Sequence, residues 1–349
     1  MLRRCTAILV LAFIYATAVA HADPVDDFVK AQLAEFELPG LSLAVVKDGA
    51  IVKVEGYGFA DIDRKVPATP ATVYKIGSIS KQFIAAGIML LAQDKRLSLD
   101  DRINKYLQNA PSSWSPITIR HLLTHTSGLI RESPAFTPFK NVSDADLIQA
   151  VYQVPLRFTP GEKWEYSNSG YVAAAEIIRI VAGRPWWEFL NEKVFTPSDM
   201  TVTLPTNTTA NVPDRAVGYG GTNNKRKVDE WVALRASGAF LSNVLDLAKW
   251  DALLYTDKIL NQASRREMWA RVRLNDMSTD PYGLGWHVDL GVGKRPRIWH
   301  GGGLPGFTSH FVRYPDERLT VIALSNGDDS DMGAIANGVA RLYLPGTAR

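Results

Sequence analysis

Gly77-Ser78-Ile79-Ser80-Lys81 stands where strand-forming sequence gives way to helix-forming sequence. Upstream, Leu41 to Val46 and Ile51 to Gly58 are rich in Val, Ile and Leu and flank Lys47-Asp48-Gly49, the pattern of a β-hairpin. Downstream, apolar residues recur at helical spacing from Ser78 to about Arg96. Ser78 and Lys81 are three residues apart, so on a helix they share a face about one turn apart. That sets an amine beside a hydroxyl that must lose its proton before the oxygen can attack. Ser80 has no such partner, because adjacent helical residues point in different directions. A helix N-terminus also offers free backbone N–H groups and a partial positive charge to a developing oxyanion. Ser-x-x-Lys recurs by chance, however, and an N-cap serine followed by a solvated lysine reads the same way.

Working outward, Val25 to Leu38 has helical spacing and stops before Pro39-Gly40. Asp144 to Val154, Gly170 to Ala182, Trp186 to Val194 and Val244 to Tyr255 also read as helices. Strands return at Tyr282 to Asp289, Phe307 to Tyr314 and Leu319 to Ser325, and an amphipathic helix spans about Asp331 to Leu344. The sheet residues thus come from the two ends of the chain. The expected fold is α/β: an antiparallel sheet flanked by helices, drawn from about 23–80 plus 280–349, with a largely helical insertion over about 81–279. The cleft between the two parts is the expected place for a site. Trp186, Trp187 and Tyr219 are expected in aromatic core.

The composition of the 349 residues, 46% hydrophobic and 21% charged, excludes a disordered, collagen-like or disulfide-stapled chain. Lys plus Arg (39) against Asp plus Glu (36) gives a net charge of +3 without a dense basic tract, which argues against a nucleic-acid partner. Residues 1–22 have the form of a secretory leader. Arg3 and Arg4 precede an apolar run from Ala7 to Ala20, and Ala20-His21-Ala22 has the small-x-small form cut before Asp23. That run of about 14 residues falls short of the ~20 needed to span a bilayer. The single cysteine, Cys5, precedes the run, so a cleaved chain would contain no disulfide, thiolate metal ligand or cysteine nucleophile. The expectation is an exported protein, periplasmic or secreted, with a single domain over 23–349 and no membrane span after cleavage.

Two further segments carry polar groups in suggestive places. Tyr166-Ser167-Asn168 lies in a loop-like stretch before a helix, where a phenol and an amide two residues apart can project into one cleft. His300-Gly301-Gly302-Gly303 ends a predicted strand, and consecutive glycines let backbone approach a ligand closely. Gly301 to Gly306 also fits G-x-G-x-x-G, but Pro305 and the strand-like Phe307 to Val312 leave no helix for a dinucleotide site. His121 and His125 share a helical spacing, but Leu122 stands where a zinc protease has Glu; both are read as structural, and no metal is expected. The G-x-S-x-G elbow of α/β-hydrolases is absent.

In order, Ser78-x-x-Lys81, Tyr166-x-Asn168 and His300-x-Gly302 resemble the three signature elements of the serine penicillin-recognising enzymes. The resemblance is to the branch holding class C β-lactamases, some D-alanyl-D-alanine carboxypeptidases, D-aminopeptidases and β-lactamase-like esterases. It extends to the stretches Ile119 to Leu129, Ala236 to Ser242 and Tyr282 to Trp286. It implies acyl transfer without a cofactor: Ser78 attacks a carbonyl of a small-molecule or peptide substrate, and Lys81 and Tyr166 handle its proton. Free Lys and Tyr titrate at about 10.4 and about 10, so each needs help from its surroundings, and the pair titrates as a unit. Asn168 would orient Lys81 and meet the substrate amide, and the backbone N–H groups of Ser78 and Gly303 would form the oxyanion hole. The third motif departs from the Lys-Thr-Gly usual in these β-lactamases, whose ammonium and hydroxyl hold the substrate carboxylate. His300 offers only a conditional charge; if it holds a carboxylate, affinity for anionic substrates falls as pH rises from about 5.5 to about 8. The resemblance therefore points to cleavage of D-amino-acid peptides, with β-lactams as a further substrate class. Alternatives are a carboxylesterase with the same Ser78 machinery and a non-catalytic penicillin-binding or sensor protein.

Overall fold

The computed structural model describes residues 23–346 apart from 208–210, 234, 239 and 329. The predicted leader, 1–22, lies outside the described residues. Asp23 caps helix α1 (Pro24–Glu35) by accepting from the Val25 N–H, with Pro24 at its first turn. The hairpin follows as β1 (Gly40–Lys47) and β2 (Ala50–Asp61), then a two-residue strand β3 (Val66–Pro67).

Four strands from the far end complete the sheet: β4 (His287–Leu290), β5 (Pro296–Leu304), β6 (Phe307–Tyr314) and β7 (Leu319–Ser325). Their order is β4-β5-β6-β7-β1-β2-β3, antiparallel throughout. The two ends of the chain meet where Leu41 to Lys47 pair with Ser325 to Leu319. Along β1 the side chains alternate between two cores. Leu41, Leu43 and Val45 pack under α1 and the C-terminal helix, whereas Ala44 and Val46 face the helical side.

Between the two sheet segments the chain is mainly helical, with α2 (Lys81–Gln93), α3 (Asp144–Tyr152), α4 (Asn168–Ala182) and α5 (Val244–Leu253); α6 (Met332–Tyr343) closes the fold. α2 is buried over most of its surface, with Phe83, Ile84, Ala85, Ala86, Ile88 and Leu91 all inaccessible. It is the central post against which α4 packs. Trp186 and Tyr219 are buried and Trp187 is packed against the main core, as expected of aromatic core residues.

Two boundaries differ most from the sequence expectation. The helix expected over Trp186 to Val194 runs only to Leu190 and loosens into a wider turn over Asn191–Phe195. The strand expected over Tyr282 to Asp289 begins only at His287. Gly285, at φ +78°, lies against the first turn of α2, where a Cβ would come within 2.8 Å of the Lys81 carbonyl oxygen. The stretch Tyr282 to Trp286 is thus spent wrapping that helix. Among the described residues, no helix is long and apolar enough to cross a membrane.

Candidate active site

Gly77–Ser80 forms a 3-10 turn that runs into α2. Ser78 is partly exposed, while Gly77, Ile79, Ser80 and Lys81 are buried. No side-chain capping bond is present at this junction, so the N-cap alternative for the serine is not realised. Ser80 turns away and accepts the Phe240 N–H at 3.1 Å.

Lys81 lies at the floor of the site, fully buried. Its Nζ is 3.1 Å from Ser78 Oγ, 3.0 Å from Asn168 Oδ1 and 2.8 Å from the Ser237 carbonyl oxygen. Burial holds its pKa well below the usual lysine value, and Arg235 and Arg131 push the same way, against Glu132. A neutral amine has two N–H donors and one lone pair. The amide and carbonyl oxygens are acceptors only, so they take the two N–H groups. As an ammonium Lys81 donates to Ser78 Oγ as well; once it has lost its proton, the lone pair is left for the Ser78 hydroxyl to donate to.

Asn168 is the first residue of α4, capped by Ser167, whose Oγ accepts the Gly170 N–H at 3.1 Å. Its Nδ2 donates to Glu132 Oε2 at 3.0 Å, and Arg235 Nη1 pairs with the same oxygen. The side-chain relay therefore runs Ser78, Lys81, Asn168, Glu132, Arg235. Burial raises the Tyr166 pKa to about 12, against the lowering influence of the neighbouring Ser78 hydroxyl, Arg131 and Arg235. Its ring centroid is 4.7 Å from Lys81 Nζ. Behind it, His125 stacks at 4.3 Å and accepts the Ser167 N–H at Nδ1, 3.1 Å. His125 is thus a support for the Tyr166 loop rather than a metal ligand. Among the described residues, no three His, Cys, Asp or Glu side chains cluster as a metal site requires.

The third motif lies on β5, pressed against the turn that carries Ser78. At Gly302 a Cβ would run into the Ile76 carbonyl oxygen, which already accepts from Ser309 Oγ at 2.9 Å. Gly77 has φ +52°, and a Cβ there would lie 2.8 Å from Gly303 N. The N–H groups of Ser78 and Gly303 are therefore neighbours across a contact that only glycines permit.

His300 has both ring nitrogens engaged within the protein. Its ring is 2% exposed, with Nδ1 2.6 Å from the Gly301 carbonyl oxygen and Nε2 3.0 Å from the Tyr282 hydroxyl. A carbonyl only accepts, so Nδ1 carries the proton and Nε2 accepts from Tyr282. Burial drives its pKa well below the ordinary histidine value, reinforced by His287 and Lys81. The ring is neutral and fully engaged inside the protein.

The profile of the family described as Beta-lactamase matches residues 25–344. The chain belongs to the Beta-lactamase family. Penicillin-binding protein 4* of Bacillus subtilis (strain 168) is 31% identical over 313 residues, covering 82% of this chain and 68% of that protein. Protein flp of Staphylococcus aureus (strain MW2) is 28% identical over 86% of this chain and 62% of its own length. The chain thus spans roughly two thirds of these curated relatives. Among solved structures, the octameric penicillin-binding protein homologue from Pyrococcus abyssi superposes with TM-score 0.81 at 27% identity, over 91% of this chain and 76% of that one. A D-amino acid amidase from Ochrobactrum anthropi SV3 gives 0.77 at 25% identity, over 90% and 95%. By family the protein is a serine hydrolase with the β-lactamase/transpeptidase fold.

In this Beta-lactamase-family chain the cleft encloses about 990 Å³ and is lined by Ser78, Tyr166, Asn168 and His300 to Gly303. It also contains residues the sequence did not single out: Arg131, Glu132, Trp231, Arg235, His310 and the start of α6. Arg131 places its guanidinium 5.3 Å from the Tyr166 ring centroid. The adjacent Arg131-Glu132, just after the Ile119 to Leu129 stretch, was the available signal. A charged pair in a loop, however, reads equally well as solvated surface.

Proposed function

We propose that the protein is an acyl hydrolase that cleaves amides of D-amino acids whose leaving group carries no negative charge. The observation that carries this reading is the state of the third motif. His300 is neutral and engaged, Gly301 brings no hydroxyl, and the nearby Arg297 is already spent on Asp289 and Asn337. Asp331 adds a carboxylate to the lining of the cleft. In D-alanyl-D-alanine and in β-lactams the carboxylate sits on the nitrogen side of the scissile bond, and the third motif itself offers it neither an ammonium nor a hydroxyl. An amide such as the one that names the O. anthropi relative has no such charge, and that similarity also supports the D configuration.

The steps follow from the geometry. Ser78 Oγ passes its proton to the neutral Lys81 amine and bonds to the carbonyl carbon. The oxyanion is held by the Ser78 and Gly303 N–H groups, each such donor being worth about 100- to 1000-fold in rate. The C–N bond breaks as the leaving nitrogen takes the proton of Tyr166, whose raised pKa keeps it protonated, and Lys81 returns its proton to the phenolate. Water then releases the acid by the reverse route. The leader-like residues 1–22 support export to periplasm or medium as part of this proposal.

The experiment compares D-phenylalaninamide with D-phenylalanyl-D-alanine as free acid and as C-terminal amide. The expected order places both substrates that lack a carboxylate at least about tenfold above the free acid in kcat/KM, the scale of one unfavourable charge contact. A preference for the free acid would overturn the reading in favour of a carboxypeptidase.

A further inference from the structure

His310 lies on β6 opposite Gly301 of β5 and is 5% exposed, yet its Nε2 is buried without a hydrogen-bond partner. Its ring stacks on Trp299 at 5.0 Å, and Trp299 is stacked on its other side by His287 at 4.1 Å. The ring's orientation is thereby fixed. Its Nδ1–Cε1 edge borders space left by two glycines. A Cβ on Gly301 would be 3.5 Å from Nδ1, and one on Gly333 would be 3.3 Å from Cε1 and 3.5 Å from Nδ1. Both glycines and His310 line the cleft that contains Ser78. Gly333 belongs to the first turn of the 12-residue helix α6, where Asp331 already caps the Ala334 N–H at 2.8 Å.

Nε2 is shielded and stays unpaired, whereas the Nδ1–Cε1 edge beside Gly301 and Gly333 is what a ligand filling the cleft would meet, with Nδ1 able to pair with it. The ring is neutral in the resting protein, its pKa driven down to about 3 by burial and by Arg297, against Asp331 and Asp289. Nδ1 therefore offers an N–H or a lone pair, according to the tautomer, which suits an amide better than an ion.

Building on the hydrolase reading above, we propose that His310 contacts substrate and sets specificity on the leaving side of the scissile bond. Its imidazole hydrogen-bonds an uncharged amide there, from the strand next to Gly301, where the third motif has no hydroxyl. The favoured substrate class is then a D-aminoacyl peptide amide rather than a D-amino acid joined to an apolar leaving group.

The test compares D-phenylalanyl-glycinamide with the phenyl ester of D-phenylalanine in wild type, His310→Phe and His310→Asn. His310→Phe should lose at least about tenfold more kcat/KM on the peptide amide than on the ester, and His310→Asn should recover part of the difference. Equal losses on both substrates, or no loss, would overturn the contact and leave the hydrolase reading standing. No turnover of the peptide amide by wild type, with the ester hydrolysed, would overturn the amide reading and this subsite with it. A measurement on the intact His310 covers variants that fail to fold: in Ser78→Ala, saturating D-phenylalanyl-glycinamide should shift the His310 imidazole 15N resonances. Unchanged resonances would overturn the contact.

Discussion

Lys81 combines two properties that a surface lysine never has together: it touches the nucleophile, and burial holds its pKa well below the usual lysine value. A lysine with a depressed pKa is an amine above that pKa and an ammonium below it. Acylation should therefore persist at neutral pH and fall as acid protonates Lys81, an effect a stopped-flow pH series would show. Glu132 opposes this depression and also fixes the Asn168 amide with its oxygen toward Lys81. Glu132→Gln should lower kcat/KM by about 10- to 100-fold, the value of a charge-assisted hydrogen bond, and move the acid limb of the pH profile to lower pH. A fall in rate with an unmoved profile would reduce Glu132 to a structural role. For His300, anionic-ligand affinity should be flat between about pH 5.5 and about 8, since both ring nitrogens are engaged within the protein and burial lowers its pKa. The structure brings Ser78, Lys81, Tyr166 and Asn168 together; helical spacing pointed to Ser78 and Lys81, whereas roles for Tyr166 and Asn168 came only from the family resemblance. Glu132 and Arg235 were not legible in the sequence, because their pairing joins residues 103 apart and leaves no local pattern.

The elements that matter for the site are β5 and the turn before α2, which touch through glycines. Gly302→Ala should destabilise the protein by at least about 1–3 kcal/mol and abolish acylation, because its Cβ meets backbone that cannot yield. Gly303→Ala has open space around its Cβ and should leave the melting temperature near that of wild type. Matching losses in the two variants would contradict the packing described. β6 and β7 match the sequence expectation at both ends, Phe307–Tyr314 and Leu319–Ser325. Each is a continuous run of strand formers bounded by a turn. β4 does not, because Tyr282 to Trp286 reads as strand by residue type but is bent around α2 at Gly285. That bend is set by a helix some two hundred residues away in sequence, beyond the reach of periodicity.

On the scale of the molecule, a sheet assembled from both chain ends is closed against a helical middle, and the cleft lies where they meet. One link between these parts is a buried ion pair. Arg313 Nε of β6 donates to Asp251 Oδ1 of α5 at 2.6 Å, and Thr320 of β7 donates to the same oxygen at 2.8 Å. Asp251→Ala strands a buried guanidinium and should cost about 3–5 kcal/mol in denaturant unfolding. A cost below about 1 kcal/mol would show that the pair is not part of what joins the halves. The antiparallel sheet with its helical insertion was readable from where strand-like and helix-like segments fall along the chain. The side chains that line the leaving-group end of the cleft were not, because they come from β5, β6 and α6 and converge only after folding.

The most direct measurement of the central claim is intact-mass spectrometry of acid-quenched reactions with D-phenylalaninamide and the phenyl ester of D-phenylalanine, followed by peptide mapping. The prediction is a transient D-phenylalanyl adduct on the peptide containing Ser78, absent in Ser78→Ala, which should show no turnover. An adduct on another residue, or full turnover by Ser78→Ala, would contradict it.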